Sequence, residues 1–267
     1  MHLAIRIICL FQFSTLSLFA QNLGLFEKKI HVDNQDTLQY RIMYPQDFDE
    51  QKTYPLMLFL HGAGERGSDN EKQLIHGAKL FANTSNRTEY PALILFPQCP
   101  NDSYWAQVEV DRSVSPRAFA FDYSRGLKQP LQLTLDLVAQ LSDQPYVDQE
   151  RIYVMGLSMG GMGTFQAVHL RPDLFAAAVP ICGAAQVDAY GKDHTQVPFW
   201  IFHGDADSVV AVQHSRDMWQ RLLALDAYVS YTEYAGVGHG SWNNAFVEPN
   251  LLNWIFSQKK RVGVLAD

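Results

Sequence analysis

Arg151-Ile-Tyr-Val-Met-Gly-Leu-Ser-Met-Gly-Gly-Met-Gly163 is the stretch from which the fold can be read. Its first five residues form an apolar run without alternation, the pattern of a strand buried on both faces of a parallel sheet. Gly156-Leu157-Ser158-Met159-Gly160 then matches G-x-S-x-G, and a helical segment follows. A serine on a sharp strand-to-helix turn has strained backbone angles, and side chains at the flanking positions would collide with the neighbouring strand and helix. The turn lifts Ser158 Oγ out at the top of a sheet, with a helix N-terminus behind it that favours developing negative charge.

The same grammar repeats outward from this elbow. Residues 26–32 and 38–44 alternate as two strands joined through the turn Asp33-Asn34-Gln35-Asp36. Apolar runs follow at 55–60, 92–96, 176–181 and 199–202, and a last strand is expected at 229–234. Between them, Leu131, Leu135 and Val138 fall at helical spacing, as do Trp219, Leu222 and Leu223, and then Leu251, Leu252, Ile255 and Phe256. Strand and helix alternating this often predict a three-layer α/β domain, with a mostly parallel sheet of about eight strands and helices on both faces.

Ligands of such sheets bind at the loops leaving the carboxyl ends of the strands. Those loops read His61-Gly-Ala-Gly-Glu-Arg-Gly67, Pro97-Gln-Cys-Pro100, Gly156 to Gly160, Cys182-Gly183, His203-Gly-Asp-Ala-Asp207 and Gly236-Val-Gly-His-Gly240. A serine hydroxyl needs a base to take its proton and a third group to orient that base. In this architecture the acid precedes the histidine along the chain. His239, in the Gly-rich loop after the last strand, is the expected base. Asp207 is the expected acid, because the loop must leave its strand before turning toward the histidine. Asp205 is then a turn or hydrogen-bonding residue. An oxyanion hole would use the backbone N–H of Met159 together with that of Ala63, or of its neighbour Gly64.

The 267 residues are 47% hydrophobic and 18% charged, which suffices for a sizeable core and excludes disorder as the main state. With 21 basic against 28 acidic residues the formal charge is −7, and the longest basic cluster is Lys259-Lys260-Arg261, so nucleic acid is not an expected partner. Residues 1–20, MHLAIRIICLFQFSTLSLFA, carry Arg6 as their only formal charge and suit a secretory signal peptide. Cleavage after Ala20 leaves 21–267 as one catalytic domain, secreted or periplasmic, without an integral membrane segment. Cys99 and Cys182 then remain, on strands separated by two others in the expected sheet order, so no disulfide is expected between them.

Four blocks together resemble the α/β-hydrolase superfamily: LHGAGERG from Leu60, GLSMGGMG from Gly156, HGDADSVV from His203 and GVGHGSW from Gly236. Within it the chain is similar to secreted bacterial esterases related to dienelactone hydrolases, to feruloyl esterases and to prolyl-oligopeptidase catalytic domains. The resemblance implies Ser158 as nucleophile, Asp207 as acid and His239 as base, with an oxyanion donor from the HGAG segment. It implies hydrolysis of a carboxylic ester through an acyl-enzyme, on a small-molecule or polysaccharide-linked substrate such as a feruloyl or acetyl ester of a plant glycan.

The segment before Pro198 leaves no room for a helical cap. Residues 99–126 are long for a loop and carry Tyr104, Trp105, Phe119, Phe121 and Tyr123, which serve either to stack on substrate rings or to fill the core. Trp105 and Trp242 are the expected substrate-binding residues, with packing of the histidine loop as the other reading of Trp242. Glu65 and Arg66 suit either a loop-fixing ion pair or a polar subsite. No H-E-x-x-H, C-x-x-C, G-x-G-x-x-G or P-loop pattern occurs, so neither metal nor cofactor is expected. A small serine peptidase is the alternative from the same chemistry. A non-catalytic binding module on this fold is the alternative from another class.

Overall fold

The computed structural model describes residues 23–261, so the expected signal peptide lies outside the described residues. The main sheet has eight strands in the order β1-β2-β4-β3-β7-β8-β9-β10. They are β1 Glu27–Asp33, β2 Asp36–Met43, β3 Tyr54–Leu60, β4 Leu93–Pro97, β7 Val147–Leu157, β8 Ala177–Ile181, β9 Phe199–Gly204 and β10 Val229–Tyr234. β1 and β2 form the antiparallel hairpin, β2 joins β4 antiparallel, and from β4 to β10 every pairing is parallel.

The period-two geometry of a strand explains the two cores. In β3, Leu56, Leu58 and Leu60 face one layer, and Met57 and Phe59 face the other. The first layer is closed by α3 (Gln129–Ser142) and α5 (Gln213–Ala224), whose Leu131, Leu135, Val138, Met218 and Leu222 are buried on it. The second is closed by α1 (Ala78–Ala82) and α7 (Leu251–Ser257) through Ala78, Phe81, Leu251, Leu252 and Ile255. A helix α2 (Thr84–Glu89) follows α1, its first turn capped by the Asn83 side chain. The helix after the elbow, α4 (Met159–Leu170), is buried from Met159 through Val168, which is why its sequence lacks a polar face.

Three features differ from the expectation. β7 begins four residues before Arg151, because Val147 pairs with Tyr54 across a register shift. Residues 99–126 are not an unstructured loop: they contain a two-stranded hairpin, β5 (Val108–Asp111) with β6 (Ala118–Phe121), anchored by Arg117 N–H to Val209 O at 3.1 Å. The short helices α1 and α2 lay below the length at which apolar periodicity is legible. Between β8 and β9 there are only two 3-10 turns, Val187–Ala189 and Lys192–His194, so no helical cap is inserted there. Cys99 follows β4 and Cys182 follows β8, with β3 and β7 between them, and both are free and buried.

Candidate active site

Ser158 sits at the N-cap of α4 with φ 53° and ψ −115°, a conformation that costs a side-chain-bearing residue roughly 1–3 kcal/mol. Close packing holds it there. A Cβ on Gly156 would lie 2.3 Å from Gly160 O, and one on Gly160 would lie 1.9 Å from Leu60 O. Both atoms are backbone and cannot swing away, so glycine is required on each side of the turn. Ser158 N–H donates to Ile181 O at 2.8 Å, tying the elbow to the neighbouring strand.

The loop after β10 brings His239 back over this turn. Its Nε2 lies 3.0 Å from Ser158 Oγ and its Nδ1 2.7 Å from Asp207 Oδ2. The hydroxyl therefore faces a ring nitrogen whose partner nitrogen is held by a carboxylate, an arrangement in which a serine becomes nucleophilic. Asp207 is 6% exposed. Its other oxygen accepts Val209 N–H at 2.8 Å and Val210 N–H at 3.0 Å. Burial acts to raise its pKa, but hydrogen bonds from His203 and His239, the His239 charge and the Val209 N–H outweigh it and hold the carboxyl well below the ordinary range. Asp205 instead accepts Gly236 N–H at 2.6 Å, fastening the base of the histidine loop.

His203, not singled out in the sequence, touches Asp207 directly. It is completely buried, with Nε2 3.2 Å from Asp207 Oδ2 and 3.0 Å from Val210 O, and Nδ1 2.7 Å from Ser215 Oγ. The signal was its place at the head of the HGDAD block, four residues before the acid.

Ala63 and Met159 each open a helix, a 3-10 turn over Ala63–Glu65 and α4 respectively, so their N–H groups lie outside the intrahelical ladder. Gly160 packed on the Leu60 and His61 carbonyls brings the two helix starts together. His61 fixes the first loop. Its Nδ1–H donates to Gly62 O at 2.7 Å, and its Nε2 accepts Cys99 N–H at 3.0 Å. Burial lowers its pKa to about 4, so the ring is neutral at physiological pH.

Arg66 adds a second latch, donating from Nε to Ala63 O at 3.0 Å and from one terminal nitrogen to Asn101 O and Ser103 O at 2.9 and 3.1 Å. Glu65 and Arg66 are not paired with each other. Glu65 is buried, with a carboxylate oxygen 3.6 Å from His76 Nε2.

Of the two tryptophans expected to meet substrate, Trp105 does not reach it. It is 0% exposed, donates its indole N–H to His61 O at 3.0 Å and packs against Gly163. An aromatic this deep fills the core beneath the first loop, and the expectation for it is corrected. Trp242 is partly exposed. Its ring stands edge-on to His239 at 5.4 Å and lies 5.3 Å from His76. His76 also helps to line a cleft of about 490 Å³, together with Ile75, Asn243, Phe246 and Val247.

Cys182, Asp207 and His239 place ligand-type atoms within 4.8 Å of one another, the one such grouping found among the described residues. Burial, followed by the Asp207 charge, pushes the Cys182 thiol well above its ordinary pKa, whereas a metal ligand must be the thiolate. Asp207 and His239 already use their facing atoms on each other.

Among solved structures, the chain is similar to a thermostable esterase at 34% identity and TM-score 0.80, over 89% of this chain and 64% of that one. A bifunctional acetylxylan esterase/xylanase of Neocallimastix patriciarum is 32% identical over 82 residues, 31% of this chain and 12% of that protein. A protein of Aspergillus niger described as a probable dipeptidyl-peptidase 5 is 43% identical over 58 residues, 22% of this chain and 8% of that protein. The chain thus spans less than two thirds of each. The fold is that of the α/β-hydrolases. The sequence profile of the dienelactone hydrolases matches residues 102–248, a span that includes the Ser158 elbow, Asp207 and His239, and the chain belongs to the dienelactone hydrolase family.

Proposed function

We propose that the protein is an exported serine hydrolase that cleaves carboxylic esters through an acyl-enzyme, with residues 1–20 as its signal peptide and 21–267 as its catalytic domain. The observation that carries this reading is the hydrogen-bonded series Ser158 Oγ, His239 and Asp207, at 3.0 and 2.7 Å, at the top of the sheet. Ser158 attacks the ester carbonyl while His239 Nε2 accepts its proton. The imidazolium that forms is stabilised by Asp207, which its hydrogen bonds keep ionised. The N–H groups of Ala63 and Met159 receive the oxyanion. His239 then returns the proton to the leaving alcohol, and water repeats the sequence on the acyl group.

The surroundings support a substrate class. No cap is inserted between β8 and β9, and the partly exposed Trp242 stands edge-on to His239. This suits an acyl group carried on a bulky alcohol such as a plant glycan, either acetyl or feruloyl. The acetylxylan esterase among the relatives favours the acetyl form, and Trp242 is the substrate-binding residue of this reading. The peptidase relative favours a second reading, cleavage of aminoacyl amides by the same three residues.

The test is a panel of p-nitrophenyl acetate through octanoate, acetylated xylan, methyl ferulate and an alanyl or prolyl anilide, run beside Ser158→Ala. Ester turnover is expected to fall at least about a thousandfold in the variant. Turnover that survives Ser158→Ala would refute the assignment, and cleavage of anilides alone would establish the peptidase.

A further inference from the structure

We propose that His203 is a positioning residue for the catalytic acid, the fourth member of a hydrogen-bonded series running Ser158, His239, Asp207, His203 and Ser215. The inference rests on the serine-hydrolase reading above and extends it to a histidine that never meets substrate.

The geometry assigns the proton on the ring. His203 Nε2 faces two acceptors, Asp207 Oδ2 at 3.2 Å and Val210 O at 3.0 Å, so it carries the hydrogen. Nδ1 is then the acceptor for the Ser215 hydroxyl at 2.7 Å. Ser215 is itself completely buried on α5, so one packed helix sets the tautomer of the ring.

The consequence falls on one oxygen. Asp207 Oδ1 is fixed by two backbone N–H groups of its own loop. Oδ2 is the atom that must point at His239, and a carboxylate pinned only through Oδ1 can still turn about its Cβ–Cγ bond. The second donor on Oδ2 comes from His203, at the end of β9, which is rigid sheet rather than loop. Nε2 also holds Val210 O, so the ring restrains the loop that carries the acid as well as the carboxylate itself. Orienting the acid this way lets it orient His239 without reorganisation as charge develops on the imidazole.

The effect is isolated by amides of different reach. The His203→Gln side chain brings an N–H near the place of Nε2. The His203→Asn side chain reaches only the place of Nδ1 and leaves Asp207 Oδ2 without this donor. The readout is the second-order rate of Ser158 labelling by a fluorophosphonate, which needs no knowledge of the natural substrate. His203→Asn is expected to label about 10- to 100-fold more slowly than the wild type, the worth of one hydrogen bond to a charged group, and His203→Gln within about threefold of it. For p-nitrophenyl acetate the loss in His203→Asn should appear in kcat, with KM within about twofold. In an Asp207→Asn background, adding His203→Asn should slow labelling no further.

A folded His203→Asn that labels at the wild-type rate overturns the proposal. So does an equal slowing with and without Asp207, which is the behaviour of a residue that merely packs. The wild-type protein supplies an independent check that survives any folding failure of the variants. Nitrogen-15 spectra of its histidines must show His203 as the Nε2–H tautomer, and an Nδ1–H tautomer rejects the series. Wild-type protein whose Ser158 is not labelled at all would remove the hydrolase reading along with this one, whereas normal wild-type labelling with an unaffected His203→Asn removes the positioning role alone.

Discussion

Acidification should loosen this protein through His61. The ring is completely buried, and burial lowers its pKa from 6.5 to about 4. The unfolded chain therefore takes up a proton on His61 more readily than the folded one. The stability this ring contributes by staying neutral is fully present above about pH 6.5 and is lost as pH falls from there toward 4. Across the whole window the loss approaches roughly 3 kcal/mol, most of it already present at pH 4.5, a large share of the margin of an ordinary domain.

Asp207 contributes mainly below this window, because its stabilisation is present above the ordinary carboxylate pKa and is lost only as pH falls from there toward its depressed folded value. Burial lowers His169 and His214 as well, so they add losses of the same sign, and the contribution of His61 has to be isolated by difference. His61→Asn keeps a donor near Gly62 O and loses the acceptor for Cys99 N–H, which should cost about 1–3 kcal/mol at pH 7. Urea unfolding at pH 7 and pH 4.5, followed by tryptophan fluorescence, measures both proteins. The variant should lose about 2–3 kcal/mol less than the wild type on acidification. Equal losses in the two proteins would refute the idea that His61 is held neutral by burial.

Three further outcomes are expected. Trp105→Phe should lower stability by about 2 kcal/mol, through the lost bond to His61 O and the smaller ring, while leaving the ester preference unchanged. A changed acyl preference in urea-stable protein would return Trp105 to the substrate site. Arg66→Met should reduce kcat/KM about tenfold by releasing Ala63 O from the 101–103 loop, and Arg66→Lys should recover little, because one ammonium cannot span three carbonyls on two segments. Full activity in either variant would show that the loop carrying Ala63 needs no such latch. Finally, burial pushes the Cys99 thiol up to about 12 and Cys182 higher still, so neither should react with Ellman's reagent in the native protein, whereas both should in urea. Rapid native-state titration of either one would contradict the packing around it.

Much of the fold was legible along the chain because its signals are local. A parallel strand buried on both faces is an unbroken apolar run, and β3, β4 and β8 could be read from composition alone. The elbow was legible for the same reason in part, since Gly156 answers a clash with Gly160 four residues on, whereas Gly160 itself answers the distant Leu60 carbonyl. The order of acid and histidine also belongs to the chain, as does the end of the sheet on which their loops gather.

What the tertiary structure alone decided are contacts between distant residues, for which spacing carries no signal. Asp205 and Asp207 are interchangeable in composition. Loop order favours Asp207 as the acid, but the partner of each is a tertiary matter: one faces Gly236 N–H and the other His239, 32 residues away in sequence. Glu65 and Arg66 are neighbours that look paired, yet Arg66 reaches the 101–103 loop and Glu65 reaches His76. The hairpin within residues 99–126 depends on an anchor at Val209, and Trp105 is buried by a helix glycine 58 residues further on. His203 passes for an ordinary strand-end residue until α5 places Ser215 on one side of its ring and the acid loop places Asp207 on the other. Sequence periodicity reports which face of an element is buried, whereas the partner that a polar group finds on that face is determined by packing between elements.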